Sequence, residues 1–182
     1  KLFAVPAPTQ QSNETNQNNS FNENDDFPFG GVLQIGKKAI QLLQKLGYEI
    51  VIPEHGPSGR PQLSKGLLKD AKKIAEQNVQ LLKGLISDQT PLVGIEPSAI
   101  LTFRDEYPDL VSEELAEDAK QLAKNALQFD EFIAREIDAK RINSSQFTTQ
   151  SKKIKLHGHC QQKAIASMVP TKKMLSLPKN YE

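Results

Sequence analysis

From Val32 onward, segments with apolar residues at spacings of three and four alternate with short runs that are apolar throughout, and this alternation admits few architectures. Ile35, Ala39, Ile40, Leu42, Leu43 and Leu46 share one side of a predicted helix, Gly47 supplies a left-handed stop, and "YEIVIP" then reads as a buried strand. Ser64 is placed to cap a long helix that turns Leu67, Leu68, Ala71, Ile74, Ala75, Leu82, Leu85 and Ile86 inward, and "PLVGIEP" is the next strand. Ser98 is placed to cap a short helix, "AILTFRDEY", stopped by Pro108. A second begins near Ser112 with Leu115, Ala119, Leu122, Ala123 and Leu127 inward, and "FDEFIAREI" continues it or starts anew. After the loop "SSQFTTQSKK", "IKLHGH" reads as a strand and "CQQKAIASM" opens a helix that Pro170 interrupts. Strands separated by helices require crossovers. The expected class is therefore α/β: an open, mainly parallel sheet flanked by helices, three-layered and Rossmann-like.

The first 31 residues have a different texture. "KLFAVPAP" can form a short strand, but residues 9–31 are rich in Asn and Gln and offer almost nothing to bury, so they cannot offset their own ordering entropy. Residues 1–31 are assigned as a flexible Asn/Gln-rich segment or linker, and 32–182 as the folded domain.

With 23 basic against 22 acidic residues, overall charge gives no reason to expect a nucleic acid or an anionic membrane as partner, and no run approaches the length of a membrane span. One cysteine cannot form an internal disulfide and no signal segment opens the chain, which makes the cytoplasm the expected compartment. The first and last residues, Lys1 and Glu182, give the chain the look of a piece cut from something longer.

In open α/β sheets ligands bind beyond the carboxyl ends of the strands. Three loops are expected there, sharing one edge: "PEHGPSGRP", "EPSAILTFRDE" and "HGHCQQ". In the first, Gly59 permits positive φ, and Ser58, Gly59 and Arg60 can hold a carboxylate or other anion; an ordinary turn before a helix explains them equally well. In the second, Glu96 ends a buried strand and needs a partner, for which Arg104 or Arg60 is available. An ion pair among Glu96, Arg104 and Asp105 is the purely structural account.

In the third loop, His157 and His159 fall on one face of the expected strand and Cys160 starts the turn into a helix. A thiol at a helix N-terminus meets unpaired amides, conditions that favour a thiolate ligand or nucleophile. Zinc held by His157, His159 and Cys160 is opposed by crowding, and a thiol hydrolase needs a base and an acid oriented from other segments, for which only His55 stands out. A metal-cluster ligand with partners elsewhere, and a buried small residue flanked by backbone-bonded histidines, both stay open.

"SGRPQLSKGLLKDAKKIA", "GIEPSAILTFRDEYPDL" and "KLHGHCQQKA", in that order, resemble the cysteine-rich region of bacterial FAD-linked oxidases fused to iron–sulfur modules. That region is similar to subunits of anaerobic glycerol-3-phosphate dehydrogenase, glycolate and lactate oxidases and heterodisulfide reductase. The resemblance covers residues 32–182 and implies a truncated cysteine-rich domain. It implies that Cys160 is one thiolate ligand of an iron–sulfur cluster, completed by a later Cys-Cys-Gly triplet that lies outside this chain. Where relatives carry Cys-Cys-Gly-Arg-Pro, this chain has Pro57-Ser58-Gly59-Arg60-Pro61, and Gln161 stands where many have histidine. No cysteine-only cluster can be completed from the first loop, and the chain by itself is expected to be metal-free and inactive.

The function so implied is an electron-relay module of a flavin-linked oxidoreductase, with FAD in a separate domain or subunit, an undetermined electron acceptor, and the possibility of a homo-oligomer. His157 and His159 would orient the turn around the cluster, while Arg60, Glu96 and Arg104 would shape the neighbouring loops. The alternative is a non-catalytic module that has lost its cluster ligands and binds an acidic metabolite or partner through Ser58, Gly59 and Arg60.

Overall fold

The computed structural model describes residues 2–5 and 30–182. Most of the segment assigned as a flexible linker, residues 6–29, lies outside them. The strand expected near the N-terminus forms as β1, Leu2–Ala4, and the first helix, α1, spans Gly30–Lys45, two residues ahead of the boundary at 32. Its buried stripe runs through Gly36, Ile40 and Leu43, which leaves Ile35, expected inward, one position off it and 56% exposed. Gly47 adopts φ +89° and ends the helix as its lack of a Cβ allows.

The long helix expected after Ser64 forms, but it starts at Leu68 and is preceded by a short helix that Ser64 ends. A short α2, Arg60–Ser64, ends at a turn in which Gly66 has φ +72°, and α3, Leu68–Leu82, follows. Ser64 thus closes α2 and caps nothing. Leu67, which precedes α3, and Leu68, its first residue, are exposed at the end of the helix, although Leu68 is in phase with Ala75 and Leu82. Then come β2, Leu92–Gly94, and α4, Pro97–Asp105, capped by Glu96 and not by Ser98; α5, Tyr107–Leu110, a 3-10 turn at Glu113–Leu115, and α6, Ala116–Lys124, complete this stretch.

A strand the periodicity did not predict, β3, Ala126–Gln128, follows Asn125 and takes Leu127 out of its expected helix. After it come α7, Phe129–Asp138, a 3-10 turn at Ser144–Gln146, α8, Cys160–Ile165, and α9, Val169–Leu175.

The chain is α/β, but its sheet has three strands in the order β1-β2-β3. Only β2 and β3 are parallel, Leu92 facing Ala126 and Gly94 facing Gln128; β1 is antiparallel, Leu2 facing Gly94. The strand expected at Tyr48–Pro53 is reduced, among the described residues, to extended chain with a single bridge position at Val51. Tyr48 is buried there and its hydroxyl donates to Glu136 at 2.7 Å. "IKLHGH" is not a strand either. Its approach pairs with the last residues of the chain through one bridge, Lys152 to Tyr181, with Ile154 N bonded to Glu182 O at 2.7 Å.

Neighbouring strand residues feed two separate cores, as a period of two requires. Leu92 and Ala126 pack with Val79, Leu82, Ile100, Phe103, Tyr107 and Leu122, whereas Val93 joins Val5, Ile40, Leu43, Phe132 and Ile133. Among the described residues, no helix is long and apolar enough to cross a membrane.

Candidate functional site

Both parallel strands run directly into helices: β2 into α4 through Glu96, and β3 into α7 through Gln128. The amino ends of α4 and α7 therefore lie side by side at the carboxyl edge of the sheet, the position where α/β folds bind ligands. Glu96 accepts from Ser98 N at 3.0 Å and Ala99 N at 2.5 Å, so its carboxylate satisfies the orphan amides of α4 and faces the positive end of the helix dipole. On the adjoining helix, Glu131 accepts from the backbone N of Gln128 at 2.9 Å, while the buried side-chain carboxamide of Gln128 has no hydrogen-bond partner among the described residues.

Helix α8 is brought to the same edge by two tethers. Gln162, 5% exposed, donates from Nε2 to Asp130 Oδ2 at 2.8 Å and to Thr171 Oγ1 at 2.9 Å, and the Thr171 hydroxyl donates to the same Asp130 oxygen. On its other side His159 caps α8, Nδ1 accepting from Gln161 N at 3.2 Å, and Nε2 lies 3.9 Å from Glu96 Oε1. Cys160, the first residue of α8, is an exposed free thiol between these tethers. His157 is exposed on the extended segment before it, and Gly158 packs so closely that a Cβ there would stand 2.6 Å from Met168 Sδ.

The other predicted residues are placed differently. Glu96 pairs with neither arginine. Arg104 points back along α4 to Ala126 O, at 2.6 Å from Nη2, and to Glu131, at 2.9 Å from Nη1 to Oε1 and 2.5 Å from Nη2 to Oε2, a fork that fastens α4 to the β3–α7 junction. Burial alone would raise the Glu131 carboxyl, but hydrogen bonds from Arg104 and the Gln128 amide, with the Arg104 charge, hold it below the ordinary glutamate range. The proposed triad of Glu96, Arg104 and Asp105 does not form.

Arg60 pairs with Glu106, just past the carboxyl end of α4. The nine residues of α4 separate Glu96 from Glu106, so the two lie about 15 Å apart along the axis. The Ser58–Arg60 loop is thus anchored at the far end of α4, and the three loops do not share one edge. Burial raises the Glu106 carboxyl, with the Arg60 charge opposing it. Gly59 has φ +79° and is buried over Ile74 and Ala71, while Ser58 Oγ accepts from Arg60 N at 3.3 Å.

This loop is held by two side chains the periodicity reading passed over. Asn78, fully buried on α3, accepts from Gly56 N at 2.7 Å and donates to Pro57 O and Tyr107 Oη, both at 2.8 Å; Tyr107 in turn donates to Ser58 O at 3.0 Å. Asn78 interrupts the apolar stripe of α3, and a polar residue at a core position is the one signal that marked it. Gln162 carried no such mark, because its helix is too short to show a stripe.

The donor set bears on the expected cluster. Among the described residues no group of three or more His, Cys, Asp or Glu side chains could hold a metal ion. An iron–sulfur cluster takes about four ligands, usually thiolates, and this chain supplies one. Its own residues therefore do not complete such a site.

No protein-family model and no solved structure matches the chain. Among curated proteins it is similar to D-2-hydroxyglutarate dehydrogenase of Escherichia coli (strain K12), 28% identical over 127 residues that cover 70% of this chain and 12% of that protein. The dehydrogenase of the same name from Pantoea ananatis is 35% identical over 74 residues, 41% of this chain and 7% of its own length. Lactate utilization protein A of Bacillus subtilis (strain 168) is 29% identical over 129 residues, 69% of this chain and 50% of that protein. The chain thus spans from under a tenth to half of the relatives it matches.

Proposed function

We propose that this chain is a module of an oxidoreductase acting on a 2-hydroxy acid, and that Cys160 is the one sulfur ligand it contributes to an iron–sulfur centre completed by residues outside it. The placement of Cys160 carries the reading: an exposed thiol on the first turn of α8, held between the amino ends of α4 and α7 at the carboxyl edge of the parallel pair. Two relatives bear names that fit, a dehydrogenase of a 2-hydroxy acid and a protein of lactate utilization. A cluster bound there would supply one-electron transfer. Flavin chemistry would belong to another domain or subunit, and the cytoplasm is the fitting compartment for such a centre.

Within this chain His159 caps α8 and sets the orientation of Cys160, while Gln162 fixes the helix against α7. Arg104 keeps α4 and α7 in register beneath the thiol. Ser58, Gly59 and Arg60 stand apart from this edge and belong to a separate, structural loop.

The natural protein containing this chain, produced anaerobically, is expected to hold iron and acid-labile sulfide and to absorb in the visible, and Cys160→Ser is expected to remove most of that absorbance while circular dichroism is unchanged. A folded, colourless, iron-free wild-type protein would refute the reading.

A further inference from the structure

Net charge near zero conceals a strong segregation. Residues 139–181 hold nine basic and no acidic side chains, which leaves 14 of the 23 basic residues against all 22 acidic ones in the rest of the chain. Of the nine, Lys140, Lys152, Lys153, Lys155, Lys163, Lys172 and Lys179 are exposed and make no ion pair among the described residues, and all but Lys140 fall within residues 152–179. This block is also the segment that presents Cys160. Lys163 lies three residues further along α8, on the same face as the thiol. The bridge from Lys152 to Tyr181 sets Lys152 and Lys153 beside Lys179. Gly158 against Met168 brings Val169 next to the segment carrying Leu156, and these two apolar side chains are 68% and 43% exposed.

We propose that this face is a docking surface for an acidic protein, with Leu156 and Val169 as the apolar centre and the lysines as a rim that steers the partner towards Cys160. An apolar centre within a charged rim is the anatomy of protein interfaces, and rim charges act mainly on association rate. Like charges gathered with few counter-ions, Glu182 beside Lys152 and Glu96 beside His159 among them, cost the isolated fold stability and gain it back against a surface of opposite sign. The unpaired cations are all lysines, with no arginine fork and no exposed Phe, Tyr or Trp among Leu156–Leu175 to stack on bases, which sets a protein partner above a nucleic acid. That the partner exchanges electrons rests on the function proposed above; the docking itself does not.

Cys160 is the chain's only thiol and so reports on its own face. In the 182-residue chain its reaction with neutral 4,4′-dithiodipyridine would be followed with and without polyglutamate, duplex DNA or phosphatidylserine vesicles at equal charge concentration. Polyglutamate is expected to slow the reaction about tenfold at low ionic strength, with the effect lost at high salt and in Lys155→Gln/Lys163→Gln. No protection by polyglutamate, protection unchanged in that double variant, or stronger protection by DNA or vesicles would overturn the proposal. So would a thiol that becomes protected by raising the chain's own concentration, with sedimentation showing self-association. None of these outcomes depends on iron, so each is separable from failure of the electron-relay reading.

Discussion

Gln162→Ala tests whether the seat of Cys160 is set by one buried amide. The Gln162 Nε2 group has two hydrogens and three acceptors within reach: Asp130 Oδ2 at 2.8 Å, Thr171 Oγ1 at 2.9 Å and Ser167 O at 3.3 Å. Two of these are full bonds, and the longest shares a hydrogen. The bond to the Asp130 carboxylate is charge-assisted and worth about 1.5–3 kcal/mol, the one to Thr171 about 1 kcal/mol. Asp130, 8% exposed, would keep the Thr171 hydroxyl and the Glu131 backbone N–H but lose the Gln162 donor. The expected loss is about 2–4 kcal/mol, and it is local, because α8 has six residues and few other anchors. Hydrogen exchange at the Lys163 and Ala166 amides, bonded to His159 O and Gln162 O, should then accelerate by roughly 30- to 1,000-fold, since each 1.4 kcal/mol is a factor of ten. Gln162→Glu should be at least as damaging, because a second carboxylate would face Asp130. Exchange within threefold of wild type, with a stability change under about 0.5 kcal/mol, would refute the claim that this amide positions the thiol.

Asn78→Ala removes three hydrogen bonds from a fully buried site and should cost about 2–4 kcal/mol in urea unfolding, with loss of exchange protection at Gly56; Asn78→Asp, which keeps only the acceptor for Gly56 N, should be comparably harmful. Glu136, whose side chain is 2% exposed, is pushed up by burial but pulled further down by hydrogen bonds from Arg141 and Tyr48 and by the Arg141 and Arg135 charges, so its folded pKa lies below the unfolded one. Its contribution is therefore complete above the ordinary glutamate range and is lost as pH falls through the folded value; Glu136→Gln should lower stability at neutral pH and flatten the acid limb of a thermal-melting series.

Which parts of this arrangement could be read from the residues depended on how many neighbours each decision involved. The stripe in α3 and the stop at Gly47 are settled within one or two turns of chain, and both were legible. The apolar run at Tyr48–Pro53 looked like a strand because buried extended chain and laddered strand have the same composition; the strand that pairs antiparallel with β2 comes instead from Leu2–Ala4, nearly fifty residues earlier. The β3 strand was hidden because Leu127 also fits the period of the helix before it. At the site, the start of a helix at Cys160 was legible, although the strand expected to lead into it is not formed. The partners of Glu96, Arg60 and Arg104 were not, since a carboxylate at a strand end can cap a helix or meet an arginine, and geometry alone chooses.

The antiparallel pairing of Leu2–Ala4 with Leu92–Gly94 has a practical consequence. Val5 is 1% exposed and shares a core with Val93, so the opening residues belong to the body of the fold although a polar stretch follows them in sequence. Trimming the gene to begin at residue 32, the boundary that composition suggests, would uncover a bare edge of the central strand and invite sticking between molecules. Expression trials should keep the first five residues even if the polar stretch is shortened.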